Sequence, residues 1–122
     1  MNADEIRTRL TDGAAVIYPG PYLNQLRGER IETVCQELLN RGVRRIVVNF
    51  EETELINSIG ISILLGVIET VNNARGGLVL SNLNESNREL FEMLGLGSHV
   101  EMAETEELAL LSLAGDTVDA TM

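Results

Sequence analysis

The chain has 122 residues, 44% of them apolar, which is enough for one domain to build a core without metals or disulfides. Its basic residues are nine arginines and no lysine against nineteen Asp plus Glu; the formal charge of −10 argues against nucleic-acid binding and against adhesion to an anionic membrane. The single cysteine excludes an intrachain disulfide and a thiolate metal site and suits a reducing cytoplasm.

Ile6, Thr8 and Leu10 alternate with Arg7 and Arg9, the period of a half-buried strand. Asp12-Gly13 turns the chain into a second strand, Ala14 to Tyr18, which stops at Pro19-Gly20-Pro21 because two residues there lack amide donors. Residues 5–18 therefore read as a β-hairpin at one edge of a sheet. From Asn24 the period becomes helical, with Ile31, Val34, Cys35, Leu38 and Leu39 on one face and Gly42 just past the end. Arg45 to Phe50 reads as a β-branched central strand.

A second helix is predicted from Ser58 to Asn73. At 100° per residue, Gly60, Leu64, Val67, Ile68 and Val71 form its inward face, with Ser62, Glu69 and Asn73 opposite. Ile59 and Ile63 fall outside both, flanking Gly66 and Thr70 on a side predicted to meet solvent. Ala74 to Gly77 breaks the helix, and Leu78-Val79-Leu80 is a short buried strand. Ser86 to Glu89 fits a capping box opening a helix with Leu90, Phe91 and Leu94 inward. Val100 to Met102 reads as a last strand, and Thr105 caps a final helix carrying Leu108 and Leu111. Residues 114–122 lack an apolar period and are expected to form a loose tail. Strands alternating with helices after an opening hairpin imply a mixed, largely parallel sheet covered by helices.

Catalytic chemistry is sparse. His99, the sole histidine, falls in a loop; Cys35 lies on an apolar helix face; no lysine exists to reach a phosphate. Glu51, Glu52 and Glu54 match no standard cation loop and read as a solvated acidic rim. The expectation is a protein that is not an enzyme and needs no cofactor or metal. The longest uncharged stretch across the apolar centre, Leu55 to Ile68, holds fourteen residues, whereas a membrane span needs about 20. No basic-then-apolar signal opens the chain, so a soluble cytoplasmic protein is expected.

One segment carries a sharper signal. Asn57-Ser58 falls where the second helix begins, and both residue types cap helices well. A cap alone accounts for them. A serine exposed there is also a place where a phosphate would face free N–H groups and the positive end of the helix dipole.

These residues bring the chain to a resemblance. Asn49-Phe50 followed by Asn57-Ser58-Ile59-Gly60-Ile61 is similar to a strand ending in Asp-Leu/Phe, a short loop and Asp-Ser-Ser/Ala-Gly-Leu. Gly77 to Asn82 resembles a Gly-x-Leu-x-Leu strand and loop, Leu90 to Leu96 a Leu-x-x-x-Gly-Leu element, and Thr105 to Ala109 a closing helix with an early acidic pair. In this order they resemble the STAS domain, specifically the stand-alone anti-sigma factor antagonists of bacteria. Two departures stand out: Asn57 replaces the Asp before the serine, and Gly20-Pro21-Tyr22-Leu23-Asn24 is one residue longer than the usual Gly-x-Leu-Asp.

The resemblance implies an α/β fold, a single STAS-type domain over residues 1–113 with a small mixed sheet and about four helices. It implies a regulator that binds an anti-sigma factor serine kinase when unphosphorylated, is released by phosphorylation of Ser58, and is reset by a serine phosphatase. Asn57, Ile59, Ser62, Ile63 and Gly66 would form the helix side of the docking patch, and Tyr22, Leu23 and Asn24 the adjoining loop. Self-association is left open. The alternative is a non-switching scaffold subunit of a stress-sensing or transport-associated assembly, which the loss of the Asp charge at Asn57 favours.

Overall fold

The computed structural model describes residues 5–120, with side chains through residue 115. Strands β1 (Arg7–Thr11) and β2 (Ala14–Tyr18) form an antiparallel hairpin. Asp12 and Gly13 close it with φ of 49° and 81°, the backbone that matches strand twist across a two-residue turn. β3 (Tyr22–Leu23) and helix α1 (Gln25–Asn40) follow, then β4 (Arg45–Asn49), β5 (Leu55–Ile56) and helix α2 (Ser58–Asn73). The chain continues through β6 (Gly77–Ser81), α3 (Glu85–Met93), a single 3-10 turn at Leu96–Ser98, β7 (Glu101–Ala103) and α4 (Glu106–Ala120).

Five strands form the main sheet in the order β1-β2-β4-β6-β7, and every pairing after the hairpin is parallel. Side chains alternate across it. Ala15, Ile17, Ile46, Val48, Leu78 and Leu80 enter the larger core with residues of α1, α2 and α3, while Val16, Val47 and Val79 meet Ala109 and Leu113 of α4. Helices therefore cover both faces, which is why the central strands are apolar throughout. Phe50 and Phe91 lock the end of β4 to α3 through an edge-to-face pair, centroids 6.2 Å apart.

Several expectations change at this level. β1 is the sheet's outer strand, so Leu10 is 63% exposed and only Ile6 on that side reaches the core. The cap of α3 is Asn84, whose side chain accepts from Asn87 N at 2.7 Å; Ser86 lies inside the first turn, so the capping box does not form. Leu94 is exposed, and Leu96 in the 3-10 turn is buried instead. Thr105 does cap α4, but Leu108 and Leu111 face outward, because Ala109 and Leu113 are the residues that meet the sheet. The backbone of α4 is helical through Ala120, within the segment expected as a tail, and Thr121 and Met122 lie outside the described residues. Among the described residues no helix is long and apolar enough to cross a membrane.

Candidate functional site

Asn57 and Ser58 sit where a pinned loop becomes a helix. The loop leaves β4 at Asn49, whose side-chain oxygen accepts from Glu51 N at 2.8 Å. Thr53 is buried and donates through Oγ1 to Gly20 O at 2.7 Å, and the amides of Glu54 and Leu55 donate to Pro21 O. β5 then runs parallel to β3, with Tyr22 opposite Leu55 and Leu23 opposite Ile56. From the other side the buried Asn87 of α3 donates to Thr53 O and Glu54 O, each at 3.4 Å. This two-stranded piece leaves no mark in the sequence, because two-residue strands carry no periodic signal.

The cap itself is well defined. Asn57 Oδ1 accepts from Gly60 N at 2.7 Å, and its backbone carbonyl accepts from Ile61 N at 3.0 Å. Because Oδ1 is committed to an N–H donor, Nδ2 must point the other way, where it donates to the Tyr22 hydroxyl at 3.2 Å. Gly60 presses on β3 so closely that a Cβ there would lie 2.5 Å from Leu23 O. Ser58 is the first helical residue and is exposed, and around it Tyr22, Leu55 and Ile59 expose 43%, 63% and 50% of their surfaces. Glu51, Glu52 and Glu54 are all exposed, and Arg7 reaches Glu52 at 3.1 Å.

A second polar cluster lies where the sheet meets the start of α4. Tyr18 Oη and Asn49 Nδ2 each donate to Glu106 Oε1 at 2.9 Å, Arg9 pairs with the other oxygen, and Arg7 lies over the Tyr18 ring. Burial pushes the Glu106 carboxyl up, but hydrogen bonds from Asn49 and Tyr18 and the charge of Arg9 outweigh it and hold the group below the ordinary glutamate range. Asn49 thus ties the loop's origin to α4. The residues of this cluster come from β1, β2, β4 and α4, and the only local trace of it is Arg7 and Arg9 alternating on β1 while Tyr18 ends the strand paired with it.

The STAS domain family model matches residues 1–109. This chain belongs to the STAS domain family. Its relatives include BtrV of Bordetella bronchiseptica, assigned by inference as an anti-sigma factor antagonist, 29% identical over 98 residues that cover 80% of this chain and 84% of BtrV. The fold is shared with TM1081 of Thermotoga maritima, at a TM-score of 0.80 and 20% identity, covering 93% of this chain and 98% of that one. It is also shared with the anti-sigma factor antagonist SpoIIAA. The unphosphorylated form gives a TM-score of 0.71 at 24% identity, covering 90% and 98% of the two chains. The phosphorylated Bacillus form gives 0.68 at 26% identity, covering 86% and 96%.

Within this STAS domain the predicted site residues divide. Asn57, Ser58, Ile59 and Tyr22 converge at the surface as described, and Ser62 and Gly66 are exposed further along α2, with open space around Gly66. Three others sit less openly than expected. Leu23 is fully buried, because its neighbour Tyr22 takes the outward position on β3. Asn24 is half-buried and caps α1, its Oδ1 accepting from Arg27 N at 3.0 Å, as Asn57 caps α2. Ile63 is half-buried against Gly28, where α1 and α2 approach until a Cβ on Gly28 would lie 3.1 Å from Ile63 Cβ. A helical wheel cannot show where a neighbouring glycine lets a second helix come close. Leu55, exposed beside Tyr22, takes the place of Leu23 on the surface.

The remaining reactive groups lie apart from this face. Burial pushes the Cys35 thiol up to about 12. His99 is exposed at the end of the 3-10 turn. Among the described residues no three His, Cys, Asp or Glu side chains gather as a metal set. A groove of about 410 Å³ between the hairpin turn and α4, lined by Thr11, Asp12, Arg45, Leu110 and Leu111, contains none of the predicted site residues.

Proposed function

We propose that the chain is an anti-sigma factor antagonist whose binding is switched at Ser58. The observation that carries this reading is an exposed serine in the first turn of α2, next to exposed Ile59 and to Asn57, which bonds exposed Tyr22 opposite exposed Leu55, on a backbone pinned from both sides. Unmodified, this face docks onto an anti-sigma factor that is also a serine kinase, which frees the sigma factor. ATP-dependent phosphorylation of Ser58 by that kinase releases the antagonist, and a serine phosphatase restores it. The existence of SpoIIAA in both forms supports the reading.

The physics favours an effect on binding over one on folding. A phosphoserine carries about −1.5 to −2 charges near pH 7. At a helix N-terminus each charge gains about 0.3–1 kcal/mol, and the carboxylates of the preceding loop oppose it. A partner packed over Ile59 would have to desolvate the phosphate, which costs several kcal/mol without a matching cation. A loss of about 3–4 kcal/mol weakens binding roughly 100- to 1,000-fold.

The second reading, a non-switching scaffold subunit, draws on Asn57, which keeps the capping oxygen without the family's Asp charge. Calorimetric titration against the host's anti-sigma factor kinase separates the two, with intact mass after incubation with ATP. The switch requires one added phosphate at Ser58, tight binding by Ser58→Ala and release by Ser58→Asp, with unchanged circular dichroism. A phosphate-free Ser58, with Ser58→Asp binding like wild type, would leave the scaffold reading.

A further inference from the structure

Building on the antagonist reading above, we infer that Tyr22 is the specificity-determining hydrogen-bond donor of the Ser58 face, and that the partner meets it with a carbonyl oxygen. The chain has two tyrosines, and their hydroxyls stand in different situations. Tyr18 Oη accepts from Arg9 Nε at 3.5 Å and gives its own proton to Glu106 Oε1 at 2.9 Å. Tyr22 Oη accepts from Asn57 Nδ2 at 3.2 Å, and among the described residues it has no acceptor for its own proton. A phenol carries a single O–H, and because Nδ2 approaches the oxygen as a donor, that hydrogen is turned away from Asn57.

Residue 57 therefore sets the polarity of this hydroxyl. Asn57 Oδ1 is held by Gly60 N at 2.7 Å, so only Nδ2 faces the phenol, and the phenol is left to donate outward. An aspartate would hold the cap with one oxygen and take the phenol's proton with the other, leaving only lone pairs for a partner.

The donor is also fixed in place. Tyr22 lies between Pro21, whose carbonyl accepts from the amides of Glu54 and Leu55, and Leu23, whose carbonyl accepts from Asn57 N at 3.1 Å. It pairs with Leu55 across β3 and β5. Asn57 directly precedes Ser58, and Tyr22 is 43% exposed, so a partner seated over Ser58 and Ile59 covers the hydroxyl bonded to Asn57 and removes its water. A polar hydrogen stripped of water without a new acceptor is costly, so docking selects partners that place an acceptor there. A carbonyl serves better than a carboxylate, which the formal charge of −10 repels.

The test is a double-mutant cycle read by calorimetric titration of the full chain against the host's anti-sigma factor kinase, with circular dichroism as the fold control. Tyr22→Phe keeps the ring and loses the proton, and should weaken binding about 10-fold or more. Asn57→Asp should weaken it by a similar factor without lowering the urea midpoint, because the carboxylate takes the proton. In the Tyr22→Phe background Asn57→Asp should add less than about 2-fold, since no proton remains to redirect. The Tyr22→Phe loss should persist in about 0.5 M NaCl, where the Debye length is about 4–5 Å; a loss that disappears there overturns the carbonyl in favour of a carboxylate. Tyr22→Phe binding like wild type overturns the donor, while release by Ser58→Asp keeps the antagonist reading. An equal loss from Asn57→Asp with and without the hydroxyl assigns its effect to charge and overturns the control of the donor by residue 57. Absence of a complex with the wild-type chain overturns both the donor and the antagonist reading.

Discussion

Asn57 and Tyr22 are joined by a hydrogen bond from the asparagine Nδ2 to the phenol oxygen at 3.2 Å, which ties the cap of α2 to β3. An Asp at position 57 would keep the cap to Gly60 N but turn the pair around, with the phenol donating to the carboxylate. Asn57→Ala should cost about 0.5–2 kcal/mol of stability, the usual value of a lost cap. Asn57→Asp should be neutral or stabilising by about 0.3–1 kcal/mol through the helix dipole. Urea denaturation of the two variants and of Tyr22→Phe checks this; a destabilised Asn57→Asp would show that the amide's donation to Tyr22 outweighs the added charge.

Two glycines of α2 should respond in opposite directions to alanine. At Gly60 the new Cβ would meet Leu23 O at 2.5 Å, and that backbone is held by pairing with β5, so overpacking should cost about 1–3 kcal/mol. At Gly66 no atom lies within 4 Å of the Cβ position, so Gly66→Ala should gain about 0.5–1 kcal/mol from helix propensity. Melting temperatures that move the same way would contradict the placement of α2 on β3.

Leu64 and Ile63 rank the packing of the same helix. Leu64 is 2% exposed, and Leu64→Ala should cost about 2–5 kcal/mol through a cavity between helix and sheet. Ile63, half-buried against Gly28, should cost about 1–2 kcal/mol on truncation, since its contact lies at a helix crossing rather than in the main core. Chemical denaturation midpoints should show this order, and equal losses would mean that the contact faces of α2 are misplaced.

Glu106 should govern part of the acid response. Its carboxyl is lowered in the folded state, so its stabilising effect is complete above its ordinary value of 4.5 and fades as pH falls through the folded-state value. Glu106→Gln should therefore flatten the stability profile below about pH 4.5. Asn49→Asp should be the harsher change, replacing a donor 2.9 Å from Glu106 with a second carboxylate. Unfolding free energies measured from acid to neutral pH test both variants; an unaltered slope in Glu106→Gln would remove the cluster from the acid transition.

Sequence alone determined the architecture and the position of the candidate serine. Alternation marked β1, continuous apolar and β-branched runs marked β4 and β6, the helical period marked α1 and α2, and Asp12-Gly13 marked the hairpin, all signals contained within a few residues. Asn57 was readable as a cap for the same reason: its partner, Gly60, is three residues away. Tertiary structure decided what surrounds the serine. Tyr22 rather than Leu23 faces outward because β3 pairs with β5 across more than thirty residues of chain, and Ile63 is covered because Gly28 admits α2. Glu106 meets Asn49 across fifty-seven positions, a contact that no local pattern encodes. Local hydrogen bonds and side-chain period are written along the chain, whereas exposure depends on which distant segment arrives to cover a residue.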